Sequence, residues 1–174
     1  MKIKIYNWRR EDVISYLKTD LLGFDRSDVD AFECYTSTWN IRGSAFTGGD
    51  FTMNPDGYSE YFSDRGKELL SRVNTLKNLF VPSLLKFFAR LEAADNAAEL
   101  CRAVYLFMEE NRLSEIIKTS ADKDYSAGKR KEAAESLQLY NSLIRSLENI
   151  AVIIGDDEIS IREFYDSIKI MLDN

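Results

Sequence analysis

The sequence predicts a mainly α fold, and three observations carry the prediction. Apolar residues recur at steps of three and four through the second half, as in Val73, Leu76, Phe80, Leu84, Phe87, Phe88 and Leu91, the seam of an amphipathic helix. Asn96 with Glu99, and Ser160 with Glu163, read as capping boxes ahead of such seams. Strand-like alternation is confined to residues 3–6.

The elements follow in order. After Asn7 a helix places Val13, Ile14 and Leu17 on one face. Ser27 is a good N-cap for the next, with Asp28 and Asp30 in the dipole-favoured first turn and Val29, Phe32, Tyr35 and Thr36 as its stripe. The pattern then breaks at Trp39-Asn40-Ile41-Arg42-Gly43. Residues 43–63 form the one long irregular segment, of the length that usually marks a functional or mobile loop. In the long seam that follows, Pro82 predicts a kink or two abutting helices. Leu100, Cys101, Val104, Tyr105 and Met108 make the next face, and a helix runs through Leu113, Ile116 and Ile117. The polar stretch 120–131 joins it to a helix facing Leu137, Tyr140, Ile144, Leu147, Ala151 and Ile154 inward, with Gly155 placed as its left-handed stop. The last helix buries Ile161, Phe164, Tyr165, Ile168 and Met171. The expected organisation is a helix-loop portion, 1–62, and a helical bundle portion, 63–174, within one structural domain.

Composition limits the chemistry. The chain has 174 residues, 45% hydrophobic and 30% charged, which is globular composition and long enough to build a core without staples. It contains no His, which excludes Ser-His-Asp and Cys-His catalysis and the commonest zinc ligand. Two cysteines, Cys34 and Cys101, exclude a disulfide framework and a four-cysteine metal site. No phosphate-binding G-x-x-x-x-G-K-[ST] run occurs; Gly48-Gly49 is followed by acidic Asp50. A net charge of -6 excludes a generic polycation. The start lacks an apolar signal region, and the longest apolar run, residues 150–154, is far short of the roughly 20 residues of a membrane span. The expectation is a cytoplasmic chain.

Candidate contact residues are therefore cationic. Arg9 and Arg10 open a helix, Arg42 stands between an aromatic and a Gly at a helix end, and Lys129, Arg130 and Lys131 form the densest positive run. Such charges beside aromatic platforms suit phosphate contact, although Asp122, Asp124, Glu132 and Glu135 can neutralise the last cluster. Asp156-Asp157-Glu158 could hold a divalent ion, but reads most simply as a solvated turn, as Glu109-Glu110 reads as a solvated helix end. The aromatic stripes read as core.

Several short runs, in register along nearly the whole chain, carry a family resemblance. Glu11-Asp12-Val13 with Leu17-Lys18-Thr19, Glu33-Cys34-Tyr35 followed by Asn40-Ile41-Arg42-Gly43, Pro82-Ser83-Leu84-Leu85-Lys86-Phe87, Gln138-Leu139-Tyr140-Asn141, and Gly155-Asp156-Asp157-Glu158-Ile159-Ser160 before Glu163-Phe164 resemble segments of the bacterial ATP-dependent helicase/deoxyribonuclease B-subunit, the AddB/RexB family. Cys34 stands where the family has Asn, and Asn40 where it has Gly. The chain lacks the family's P-loop and iron–sulfur cysteines, so it resembles an excised internal segment similar to the helical accessory (2B-like) insertion of superfamily 1 helicases.

The resemblance implies a non-catalytic part of a machine that resects double-strand DNA ends for recombinational repair. It implies DNA, the remainder of the parent protein and the helicase-nuclease A-subunit, the motor of the complex, as partners, with no membrane. No cofactor is expected in this segment; ATP, magnesium and the iron–sulfur cluster belong to the parent family. Arg9, Arg10, Arg42, Lys129, Arg130 and Lys131 are the expected DNA contacts. The alternatives are a stand-alone helical adaptor that binds protein through an apolar face and, last, a metal-dependent enzyme using the carboxylates.

Overall fold

A computed structural model describes residues 1–19 and 22–172, and among them the regular structure is helical, without strands. The order is α1 (Lys2–Ile5), α2 (Arg10–Leu17), α3 (Arg26–Thr38), a 3-10 turn (Gly43–Phe46), α4 (Asp64–Glu92), α5 (Ala97–Glu110), α6 (Leu113–Ser126), α7 (Arg130–Ile154) and α8 (Ile161–Leu172). The chain divides into two compact units, Lys2–Leu85 and Lys86–Asn174, the division falling within α4. No helix among the described residues is long and apolar enough to cross a membrane.

The core of the first unit is aromatic. Phe32, fully buried on α3, packs against Phe46, Phe51 and Phe80 with ring centroids 5.5–6.2 Å apart. Burying and stacking such rings contributes about 0.5–1.5 kcal/mol per pair beyond the area removed from water. Val13, Ile14, Leu17 and Val29 complete the interior, as their spacing predicts. Residues 3–6, expected as a strand, form α1 and the turn after it instead. The Tyr6 N–H donates to Lys2 O and the Trp8 N–H to Ile3 O, so the backbone groups find partners locally, and no neighbouring strand exists among the described residues to pair an extended segment. The cap of α3 is Asp25, not Ser27: its carboxylate accepts from the Ser27 N–H and O–H.

The irregular segment after the 3-10 turn is pinned to α4 by side chains. Asn74 donates to Phe51 O and accepts from the Phe51 N–H, at 3.0 and 2.8 Å. Lys77, only 2% exposed, donates to Gly48 O and Gly49 O and sits 4.5 Å from the Phe51 ring centroid. Burial lowers its pKa, an effect that Asp50 opposes. Buried Asn54 donates to Ser59 O and Tyr61 O and accepts from the Asp56 N–H. These residues tie down carbonyls that no ladder satisfies.

The second unit is built from helix-on-helix packing, with α5, α6 and α7 mutually in contact and α8 against α5 and α7. The long helix α4 runs on through Pro82 as one helix, so of the two expectations there, a kink or two abutting helices, the second fails. The stretch 120–131 is largely helix: α6 continues to Ser126 because Ala121 faces the core. It stops at Gly128, φ 81°, where the Lys129 N–H donates to Asp124 O and the Gly128 N–H to Tyr125 O, a Schellman arrangement. Gly155, expected to be that kind of stop, is right-handed at φ -57°. Its lack of a side chain serves close approach instead, since a Cβ there would lie 2.1 Å from Ala151 O.

Of the two capping boxes, Ser160 with Glu163 forms in full and Asn96 with Glu99 in part. Asn96 Oδ1 accepts from the Glu99 N–H, while Glu99 reaches the Asp95 N–H. Ser160 Oγ accepts from the Glu163 N–H as Glu163 accepts from the Ser160 O–H and N–H, which lowers the Glu163 pKa. Of the expected face of α7, Leu147 is buried, Tyr140, Ile144, Ala151 and Ile154 are half-buried, and Leu137 is exposed; Ala133, Ser146 and Ile150 complete the buried side. Tyr105 and Met171, expected inward, are exposed as well.

Candidate functional site

Two segments of the first unit are locked side by side. The residues after α1 turn sharply, with left-handed Asn7 (φ 48°) and Trp8 (φ 55°); Asn40 (φ 49°) and Gly43 (φ 60°) do the same after α3. For a side chain as large as Trp this backbone is strained and must be held by its surroundings. The indole is buried and stacked 6.2 Å from Phe46, and Trp8 O accepts from the Gly43 N–H at 3.1 Å. Arg10 reaches across to Thr36 O at 3.5 Å.

A cleft of about 450 Å³ lies along this junction, lined by Tyr6, Asn7, Arg9, Arg10, Glu11, Asn40, Arg42 and Gly43. The fold thus brings Arg9, Arg10 and Arg42 together from separate parts of the sequence, but not as equals. Arg9 is bound two-pronged to buried Asp12, at 2.8 and 3.1 Å, and its guanidinium lies 4.7 Å from the Tyr6 ring centroid. The hydrogen bond to Asp12 raises the Arg9 pKa, against the opposing effect of desolvation. Arg10 is part-buried and lies 3.6 Å from Glu11. Arg42 has extended backbone and is exposed, and its guanidinium has no ion pair or hydrogen bond among the described residues. Of the three cleft arginines it is the one without a charged partner among the described residues. Its near neighbour in sequence, Trp39, packs edge-on against Tyr58, with its Nε1 buried and unpaired.

Lys129, Arg130 and Lys131 belong to the second unit, at the α6–α7 turn. All three are exposed and already engaged: Lys129 lies 3.9 Å from Asp124, Lys131 lies 3.6 Å from Glu135 one turn on, and Arg130 lies over the Tyr125 ring.

The acidic runs have structural roles. No group of three metal-ligating side chains occurs among the described residues. In the turn after α7, Gly155 O and Asp157 O accept from the Ala98 and Ala97 N–H groups, partnering donors at the start of α5 that the helix itself cannot satisfy. Glu110 is not a merely solvated helix end. Arg90 binds both its oxygens at 2.6 and 2.9 Å and Lys86 adds a third contact at 2.7 Å, so its pKa falls to about 2.

Sequence reasoning missed Tyr6, Asp12 and Lys77. Tyr6 was hidden by reading residues 3–6 as a strand. For Asp12 the available signal was a cation three residues from a carboxylate, Arg9 to Asp12.

Over 165 residues, 93% of this chain, the sequence is 28% identical to the ATP-dependent helicase/deoxyribonuclease B-subunit of Clostridium acetobutylicum. The chain matches a segment of the helicase/deoxyribonuclease B-subunit. The B-subunit of Acetivibrio thermocellus is 30% identical over 166 residues, 94% of the chain, and that of Caldanaerobacter subterraneus 26% identical over 173 residues, 99% of the chain. The chain spans only 14–15% of the length of these relatives. No family model matches it.

Proposed function

We propose that the chain is a non-catalytic, 2B-like helical segment of an ATP-dependent helicase/deoxyribonuclease B-subunit, and that it contacts DNA through the Arg42 cleft during end resection and recombinational repair in the cytoplasm. The remainder of the parent protein, the A-subunit of the complex and DNA are its partners. ATP, magnesium and an iron–sulfur cluster serve other parts of that machine. The observation that carries the reading is Arg42, an unneutralised cation in a strained cleft of a chain that matches the B-subunit relatives almost end to end. Lys129, Arg130 and Lys131 are secondary contacts, since their charges are partly met by neighbours.

Binding of fluorescein-labelled DNA, followed by anisotropy in low salt, tests it. Arg42→Glu is expected to weaken binding about tenfold or more, with an unchanged helical circular dichroism spectrum, and Arg130→Glu to weaken it less. Equal binding by wild type and Arg42→Glu removes the reading.

A second reading, a helical adaptor or packing module, is supported by one feature. A groove of about 250 Å³ between α5 and α7 is lined by Ala98, Cys101, Tyr105, Ile144, Leu147 and Ala151 among others, and the Tyr105 ring is exposed at it. If Tyr105→Glu blocks assembly with the A-subunit while DNA binding is untouched, packing is the main task of this groove.

A further inference from the structure

We infer that Tyr58, Glu60 and Tyr61, at the tip of the irregular segment before α4, dock an arginine-bearing segment of a protein partner, with Glu60 pairing with the guanidinium and the two tyrosine rings lying against it. This surface shares no residue with the Arg42 cleft and goes beyond the DNA contact proposed there.

The backbone of the tip is fixed while its side chains are left outside. Asn54 O accepts from the Gly57 N–H at 3.0 Å, closing a turn in which Pro55 holds the second position and Gly57 is left-handed at φ 102°. The buried Asn54 amide donates to Ser59 O and Tyr61 O at 2.7 and 2.8 Å, and the Tyr61 N–H donates to Ser59 Oγ at 3.1 Å. Asp56 accepts from the N–H and O–H of Ser63, whose Oγ accepts from the Gly66 N–H in the first turn of α4. None of these bonds uses the side chains of Tyr58, Glu60 or Tyr61. Tyr58 is 90% exposed and Tyr61 77%. Leaving two such rings in water forgoes the stabilisation of burying them. Rings already held on an ordered backbone have little freedom left to lose, so they bind a partner at low entropic cost.

Charge selects the partner. Residues 43–64 carry four carboxylates, Asp50, Asp56, Glu60 and Asp64, and no Lys or Arg, so the tip repels phosphate and attracts a cation. Asp50 is bonded to Asn78, Asp56 to Ser63 and Asp64 to Lys67; Glu60 is exposed and has no ion pair or hydrogen bond among the described residues. A planar guanidinium pairs with a carboxylate and stacks on an aromatic face at once, which a compact ammonium does less well. Tyr and Arg are also the side chains that concentrate binding energy at protein interfaces. Tyr58 supplies a reporter as well: its ring lies edge-on to Trp39, centroids 5.0 Å apart, and Trp39 Nε1 beside it is buried and unpaired. Docking on Tyr58 changes the surroundings of that indole.

Titration of the isotope-labelled whole chain with a peptide of alternating glycine and arginine, and with its glycine–lysine counterpart, tests the assignment through amide chemical shifts and tryptophan emission. The arginine peptide is expected to shift the amides of residues 56–62, change the Trp39 emission and bind about threefold more tightly than the lysine peptide. Replacing both tyrosines, Tyr58→Leu with Tyr61→Leu, should weaken the arginine peptide about tenfold and abolish its advantage, while Tyr58→Phe with Tyr61→Phe retains both. Glu60→Gln should weaken both peptides about threefold and keep the preference for arginine. Equal affinity for the two peptides, shifts centred on carboxylates outside residues 56–62, or an unaffected double leucine variant overturns the assignment. Weaker binding of fluorescein-labelled DNA by that double variant overturns it in favour of a nucleic-acid contact, whereas Arg42→Glu reads the cleft alone. Melting curves separate misfolding from lost contact, and Glu60→Gln supplies the comparison if the double leucine variant fails to fold.

Discussion

The first unit holds 11 basic and 12 acidic residues, the second 12 basic and 17 acidic, so nearly all of the net negative charge lies in the second. Backbone divides the same way. Asn7, Trp8 and Asn40, three of the four non-glycine residues with positive φ among the described residues, fall in the first unit, as does the long irregular segment; the second is nearly all regular helix. The difference teaches where an anion can be met. A surface that is close to neutral and shaped by irregular backbone can offer an unpaired Arg42, whereas Lys129, Arg130 and Lys131 lie in a unit whose field repels phosphate. The two units also hold themselves together differently: the first by an aromatic knot with polar side chains tying down its loop, the second by apolar seams and capped helix ends.

Three perturbations probe that contrast. The largest effect belongs to Phe32→Ala, which removes the ring on which Phe46, Phe51 and Phe80 converge; a loss of about 3–5 kcal/mol is expected in urea unfolding, with faster proteolysis of residues 47–63. A loss below about 1 kcal/mol would show that the knot is not what organises the first unit. Next comes Lys77→Met, which leaves Gly48 O and Gly49 O without their donor. It should cost about 1–3 kcal/mol and speed amide hydrogen exchange in the same loop while the second unit stays protected. Unchanged exchange would mean that Asn54 and Asn74 suffice.

The smallest effect is a pH dependence in the second unit. Glu110 has a folded pKa of about 2 against an ordinary 4.5, so its contribution is fully present above about pH 4.5 and is lost as pH falls toward 2. Wild type should therefore lose more of its urea midpoint between about pH 6 and pH 2.5 than Glu110→Gln does. Identical losses would show that solvent screens the Arg90–Glu110–Lys86 cluster to no net effect, as it does for many exposed ion pairs.

Much of the helical pattern was legible. The seam from Val73 to Leu91 and the caps at Asn96 and Ser160 depend on neighbours three and four residues away, and each forms. Gly155 misled because a glycine after a helix signals a left-handed stop, while here it permits close approach to Ala151; Gly128 is the left-handed one. Leu137 misled because the face of α7 is chosen by partners, not by its own stripe. In the first unit the reading of residues 3–6 as a strand failed for want of a partner strand, and with it went Tyr6. Arg42 was visible from its local setting. That Arg10 joins it in one cleft, and that Arg9 is occupied by Asp12, was not.

Helix content, the absence of His-based chemistry and the likeness to the helicase/deoxyribonuclease B-subunit follow from the chain's composition and local order, because periodicity, capping and residue inventory are short-range properties. Which cations stay free, which loop carbonyls Lys77 satisfies and which aromatic faces the cleft were decided by contacts between residues far apart in the chain. Such contacts depend on how apolar burial folds the chain back on itself, and only the assembled core specifies that.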